Sequence, residues 1–263
     1  MAYFKIEFFS NSLRRFVNFD MYIPNDIKYD EPRENKYQHR ETKTLFLLHG
    51  YTGSANNWGI DELAKKYNFA MVMPNGENAF WLNQTATGHK YCSYVGEELI
   101  EYIRKTFGLC KNAEDTYVCG ISMGGFGALH TGFYYPNTFS KIAAMSPALI
   151  LHDIAGMKPE QDDGVANYEY YKNCFGDLEN VLESKSNPET LVKELKAESR
   201  KIPQIYMCCG TEDFLIENCR NFHKFLDGEN VPNVFLESKG EHNSIFWNEY
   251  IVKVVEWMFE GYI

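Results

Sequence analysis

The chain has 263 residues, of which 44% are hydrophobic, 16% aromatic and 24% charged, a balance that supports a sizeable core and argues against disorder. Its formal net charge of −10 excludes ready binding to a nucleic-acid backbone or an anionic lipid surface, whose phosphates would be repelled. No stretch is long and apolar enough to span a bilayer.

At the N-terminus, MAYFKIEFFSNSLRRF places its two arginines after the apolar run. A secretory signal has the opposite order, so the expected location is the cytoplasm. The seven cysteines (92, 110, 119, 174, 208, 209 and 219) are odd in number and lack C-x-x-C pairing. They read as reduced, mostly buried thiols rather than a disulfide framework or zinc site.

Tyr3–Phe9 and Phe16–Ile23 alternate apolar and polar residues, as half-buried antiparallel strands do. The polar segment Asn25–Thr42 reads as a loop. Thr44–Leu48 and Phe69–Met73 are short, continuously apolar runs, the pattern of strands covered on both faces. Between them Ile60, Leu63, Ala64 and Tyr67 recur at helical spacing. Tyr91–Phe107 is also helical, with Val95, Leu99, Tyr102 and Ile103 on one face. Strand Thr116–Cys119, helix Gly124–Tyr135 and strand Lys141–Met145 follow. Later come a helical segment near Pro188–Glu198, strand Gln204–Cys209, helix Glu217–Leu226, strand Val234–Glu237 and a last helix over Ile245–Phe259. Strands separated by such helices imply right-handed crossovers and a mainly parallel α/β sheet in one domain, extended by the two N-terminal strands. Residues 147–200 are too long for a simple crossover and are expected to form a lid or pocket wall around the tyrosine-rich run Asn167–Phe175.

Gly120-Ile121-Ser122-Met123-Gly124 has the G-x-S-x-G spacing. A serine on a sharp strand-to-helix turn needs small residues two positions away on either side, where side chains would collide. The apolar strand before it and the helix after it are the context that chemistry requires. Ser122 is then a nucleophile, and the Met123 amide points at the developing oxyanion. The alternative is an ordinary serine in a glycine-rich turn.

Such a serine needs a histidine to take its proton and a carboxylate to orient that histidine. Functional groups of a parallel sheet gather at the carboxyl ends of its strands. His49 and His242 are the two histidines that follow a strand closely, and His242, in KGEHNS, lies after the serine. His130 is expected to be packing, and His39, His89, His152 and His223 solvated. Asp213 and Glu212, in CGTEDFL, are the candidate carboxylates. The order Ser122, Asp213, His242 is that of α/β-hydrolases. The second oxyanion donor is expected in His49-Gly50-Tyr51-Thr52-Gly53, with the Tyr51 amide the first choice and Thr52 the second.

LFLLHGYTGSANNW, MPNGENAFW, EELIEYI, GISMGGFGAL, CGTEDFL and GEHNSIFW occur in that order over nearly the whole chain. Together they resemble the putative-esterase family, whose members include tributyrin, acetyl-xylan and feruloyl esterases, S-formylglutathione hydrolases and mycolyltransferases. The likeness is greatest to the tributyrin-esterase-like branch. It implies an α/β-hydrolase fold and a triad of Ser122, Asp213 and His242, with Asp213 preferred over Glu212 and Tyr51 matching the family's oxyanion donor. GYTGS lacks the threonine–cysteine element usual after HG in S-formylglutathione hydrolases. Asn243-Ser244 replace the acidic or aromatic residue that many relatives carry after the histidine.

The expected activity is hydrolysis of short-chain (acetyl or butyryl) or hydroxycinnamoyl esters through an acyl-enzyme on Ser122. The alternatives are acyl transfer by the same triad and an S-formylglutathione-type thioesterase. The expected substrate is a small-molecule or carbohydrate-linked ester. Trp58, Trp81 and Trp247, with Tyr168, Tyr170 and Tyr171, are candidates to line its pocket, the alternative being core or lid packing. No cofactor or metal is expected, because there is no H-E-x-x-H and the glycine-rich elements already have roles. Homo-oligomerisation is left open.

Overall fold

The computed structural model describes residues 2–24, 36–56 and 58–261. Residues 25–35 of the expected loop lie outside that range; the rest of the segment carries a 3-10 turn at Lys36–His39.

Eight strands form one sheet: β1 (Ala2–Ser10), β2 (Arg15–Ile23), β3 (Lys43–Leu48), β4 (Phe69–Pro74), β5 (Thr116–Ile121), β6 (Lys141–Met145), β7 (Gln204–Gly210) and β8 (Asn233–Ser238). Their order is β1-β2-β4-β3-β5-β6-β7-β8. β1 pairs antiparallel with β2, and β2 with β4; every later pairing is parallel. The architecture is that of an α/β-hydrolase.

Side-chain alternation along the strands divides the core in two. Phe46, Leu48, Val118, Ala144 and Met207 face one layer, while Leu45, Leu47, Cys119, Ala143 and Cys208 face the other. The first layer is completed by α3 (Leu99–Phe107), α4 (Met123–Tyr134), α7 (Pro188–Ala197) and α8 (Ile216–Gly228); the second by α1 (Asp61–Tyr67) and α9 (Ser244–Glu260). Burial on both faces is why these strands are continuously apolar.

The expected helix over Tyr91–Phe107 is interrupted. It consists of α2 (Tyr91–Ser93), a π-helical turn at Tyr94–Glu98, and then α3. The turn brings Gly96 against the Tyr135 ring so closely that a Cβ there would lie 2.2 Å from a ring carbon. The stretch between β6 and β7 holds α5 (Leu151–Ile154), α6 (Tyr168–Phe175) and α7. α6 is the tyrosine-rich run, and the Asn167 side chain caps it by accepting from the Tyr170 N–H. Asn243 caps α9 in the same way, accepting from the Ile245 and Phe246 N–H groups. All seven cysteines are free and buried. Among the described residues no helix is long and apolar enough to cross a membrane.

Candidate active site

A single residue, Ser122, separates β5 from α4, at φ 56° and ψ −118°. A non-glycine residue rarely occupies that region, so the surroundings must enforce it. The Ser122 N–H donates to Met145 O at 2.9 Å, and its carbonyl accepts from Phe126 and Ala148 N–H, each at 3.0 Å. Glycine is required on both sides. A Cβ on Gly120 would lie 1.9 Å from Gly124 O, and one on Gly124 would lie 2.0 Å from Leu48 O. The elbow is therefore packed backbone against backbone between α4 and β3.

His242 Nε2 lies 2.9 Å from Ser122 Oγ, and His242 Nδ1 lies 2.8 Å from Asp213 Oδ2. The loops after β7 and β8 bring the latter pair together. Thr211 and Glu212 N–H donate to Ser238 O and Gly240 O, and a Cβ on Gly210 would sit 2.2 Å from Gly240 O. Asp213 is only 2% exposed. Burial alone would raise its carboxyl, but hydrogen bonds from His242 and the Leu215 N–H outweigh it and hold the group below the ordinary carboxylate range. An ionised Asp213 can only accept, so Nδ1 carries the ring proton and Nε2 is left to accept from Ser122 Oγ–H. Glu212, the neighbouring candidate, is exposed and points toward Lys239, 3.9 Å away. The His242 ring sits between Phe214 and Trp247, with centroid distances of 4.6 and 5.0 Å.

The loop after β3 forms the other wall. His49 is buried, and its ring bridges to Gly50 O through Nδ1 (2.8 Å) and to the Gly76 N–H through Nε2 (2.9 Å). Burial pushes its imidazole below the usual histidine value, so the ring is neutral, donating from Nδ1 and accepting at Nε2. The Gly50 carbonyl also accepts from the Gly53 N–H. In a trans peptide the N–H points opposite to the carbonyl, so this double latch turns the Tyr51 N–H away from His49. Gly50 itself lies against the elbow, where a Cβ would be 3.3 Å from Ile121 O. Thr52, the second candidate, has its N–H donated to Asn78 Oδ1 at 2.8 Å. Met123 is the first residue of α4, so its N–H has no acceptor within the helix.

Ser122, His242, Tyr51 and Met123 open into a cavity of about 610 Å³, within the range of small-molecule sites. Trp58 and Trp247 line it, as do Tyr170 and Tyr171 from α6. Trp81 does not, contrary to the sequence expectation. It is fully buried, with its indole N–H donating to His49 O at 3.2 Å. Close approach by Gly76 and Gly127, where a Cβ would meet the indole at 2.4 Å, makes room for it beneath the loop. Tyr168 is likewise absent from the lining and packs partly buried against the core. His130 is buried packing, as expected, donating from Nε2 to Lys185 O. Among the described residues no cluster of His, Cys, Asp or Glu could hold a metal ion.

Several site residues escaped sequence reasoning. Phe80, Phe214 and Asn218 line the cavity, as do Asp153 and Asp163. Asp153 accepts from Asn218 Nδ2 (2.6 Å), and Asp163 from the Tyr171 hydroxyl (2.8 Å). Asn78 joins two walls: its side chain holds Thr52, and its carbonyl accepts from the Tyr170 hydroxyl. Its position in PNGENAFW carries no local signal that separates it from a turn asparagine.

The family model described as Putative esterase matches residues 10–246. An acetyl esterase of Caldicellulosiruptor saccharolyticus is 39% identical over 262 residues, covering 98% of either chain. Among solved structures, the fluorophosphonate-binding serine hydrolase F of Staphylococcus aureus superposes with a TM-score of 0.82 at 26% identity, covering 98% of both chains. An S-formylglutathione hydrolase of the same organism gives a TM-score of 0.81, also at 26% identity and 98% coverage of both.

Proposed function

The chain belongs to the Putative esterase family and is a carboxylic ester hydrolase, and from that premise we propose that it removes acetyl or other short acyl groups from uncharged alcohols through an acyl-enzyme on Ser122. The observation that carries this reading is the continuous hydrogen-bonded run from Ser122 Oγ through His242 to buried Asp213, opening onto the cavity. Ser122 Oγ attacks the ester carbonyl as His242 Nε2 takes its proton. The Met123 and Tyr51 N–H groups receive the charge that develops on the carbonyl oxygen. His242 then protonates the leaving alcohol, and water repeats the sequence on the acyl-enzyme.

The acetyl preference is supported by the 39% identical acetyl esterase. The preference for an uncharged alcohol is supported by the cavity wall. Its charged members among the described residues are Asp153 and Asp163, with no lysine or arginine, so a leaving group bearing carboxylates meets repulsion. That weighs against a glutathione thioester, the second reading, which the S-formylglutathione hydrolase neighbour supports.

The test is a hydrolysis panel on wild type and Ser122→Ala, with p-nitrophenyl acetate and butyrate, tributyrin, acetylated xylan, methyl ferulate and S-formylglutathione. Turnover of the acetyl esters by wild type alone upholds the proposal. Preference for S-formylglutathione moves the assignment to thioesterase. Wild-type inactivity on all six, or equal activity of the variant, defeats the nucleophile assignment and directs attention to acyl transfer.

A further inference from the structure

β1 forms one end of the sheet and, among the described residues, pairs with β2 alone. Every second residue of such a strand turns its N–H and C=O outward, so this edge is a template for a further strand. Exposed edges are usually blunted by a proline, a bulge or shortness. β1 has none of these: AYFKIEFFS runs for nine residues without proline, and its register against β2 is unbroken from Ala2 opposite Ile23 to Ser10 opposite Arg15. A lone lysine can also guard an edge, but here Glu7 follows Lys5 two positions on, on the same face. Phe4, Ile6 and Phe8 are half-buried against the core, with Phe8 stacked on Tyr102 at 4.6 Å and Phe4 edge-on to Phe107 at 5.7 Å. Tyr3, Lys5, Glu7 and Phe9 point the other way and are exposed. Phe9 stands beside Phe16 of β2, which is 67% exposed.

Because outward backbone groups recur at every second residue, two copies of β1 can pair antiparallel only odd against odd and even against even. The two-fold axis then passes through a single residue. Centred on Lys5 or on Glu7, the pairing opposes two like charges. Centred on Ile6, the middle of the strand, it sets Lys5 against the second copy's Glu7 twice, and Tyr3 against the second copy's Phe9 twice. Lys5 then lies between Asp20, its neighbour across β2, and a glutamate, while Phe9 lies between Phe16 and a tyrosine ring. On the other face Phe4 meets Phe8, and Ile6 meets its own copy. The register of greatest overlap is therefore also the one of opposite charge. We propose that the chain forms a two-fold homodimer by antiparallel pairing of β1 about Ile6, which joins two eight-stranded sheets into one. None of the residues lining the active-site cavity belongs to β1 or β2, so this interface stands independently of the triad reading.

The experiment is sedimentation velocity at physiological ionic strength, between about 1 and 100 µM chain. The samples are wild type, Lys5→Glu, Glu7→Lys, the double charge reversal and an equimolar mixture of the two single variants. Wild type is expected to sediment as a dimer. Each single variant opposes like charges on both sides of the two-fold axis, and its dissociation constant should rise at least about tenfold. The double reversal restores opposite pairs and should dimerise as wild type does. In the mixture one variant carries only acidic and the other only basic side chains at positions 5 and 7, so the two should form a heterodimer more tightly than either pairs with itself. A wild type that stays monomeric overturns the proposal, as does a dimer that both single variants leave intact, because its interface would lie elsewhere. Single variants that dissociate and are rescued neither by mixing nor by double reversal overturn the Ile6 register. Both positions are exposed, and thermal unfolding verifies that each variant is folded. Should a single variant not fold, Phe9→Lys decides: it loses the ring facing the second copy's Tyr3 and should also dissociate the dimer, and persistence of the dimer overturns the proposal.

Discussion

His49 should govern the oxyanion loop without touching substrate chemistry itself. Its Nδ1–H latches the Gly50 carbonyl and its Nε2 accepts from the buried Gly76 N–H. Glutamine and asparagine can divide these two jobs. A glutamine carbonyl reaches the Nε2 position and keeps the Gly76 bond, whereas an asparagine amide stands near Nδ1 and keeps the Gly50 latch. In His49→Gln the 50–51 peptide keeps only the Gly53 N–H on its carbonyl, so it can swing and the Tyr51 N–H is no longer held in place as a donor. One oxyanion donor is worth about 100-fold in kcat, or ~2.7 kcal/mol, with KM nearly constant because the contact strengthens in the transition state. In His49→Asn the donor survives and kcat stays close to wild type. The orphaned Gly76 N–H instead costs about 1–3 kcal/mol of folding stability. Steady-state hydrolysis of p-nitrophenyl acetate and urea unfolding separate the two effects. Full kcat in the glutamine variant, or an exchange of the two phenotypes, would refute the argument that His49 sets the peptide's orientation.

Gly124→Ala must force α4 and β3 apart, since its Cβ would meet Leu48 O at 2.0 Å and His49 O at 2.6 Å. The expected cost is about 1–3 kcal/mol of stability and, through misplacement of Ser122, roughly 100-fold in kcat/KM; an alanine variant with wild-type melting and turnover contradicts the packing account. Burial pushes His130 down to about 4, against roughly 6.5 in the unfolded chain. The unfolded state then binds the extra proton, so the His130 contribution is complete above pH ~6.5 and is lost progressively toward pH ~4, by about 3 kcal/mol. His130→Gln should flatten that part of the stability–pH curve, and an identical slope in wild type and variant would exclude the assignment. The thiols give a simpler check: all seven cysteines are free and buried, so Ellman's reagent should titrate none in the native protein and seven after unfolding. A lower total in the unfolded chain would reveal a disulfide.

Much of this molecule was legible in its sequence because the relevant signals are local. Continuous apolar runs such as Thr44–Leu48 and Phe69–Met73 mark doubly covered strands wherever they fall. The spacing Gly120-x-Ser122-x-Gly124 encodes a steric requirement that acts within a few residues of one turn, although the atoms a Cβ would strike belong partly to Leu48. His242 could be singled out because the ends of parallel strands are where such groups collect. The break in the helix over Tyr91–Phe107 was not legible. It coincides with the close approach of Gly96 to the ring of Tyr135, 39 positions further on, and apolar periodicity does not register a π turn.

The same division separates the parts of the site. Composition and spacing were enough to determine the order of the sheet strands and the main helices along the chain, and the tight Gly120–Gly124 turn between β5 and α4. They could not decide between Asp213 and Glu212, which share one loop; that choice was made by the approach of β7 and β8, which turns one carboxylate inward and leaves the other beside Lys239. Nor could they separate Trp58 and Trp247, which line the cavity, from Trp81, which supports its floor. Three tryptophans in three loops look alike along the chain, and their fates depend on what packs above them. Local sterics are written in neighbouring residues, whereas burial and hydrogen-bond partnership are properties of segments that meet only when the chain has folded.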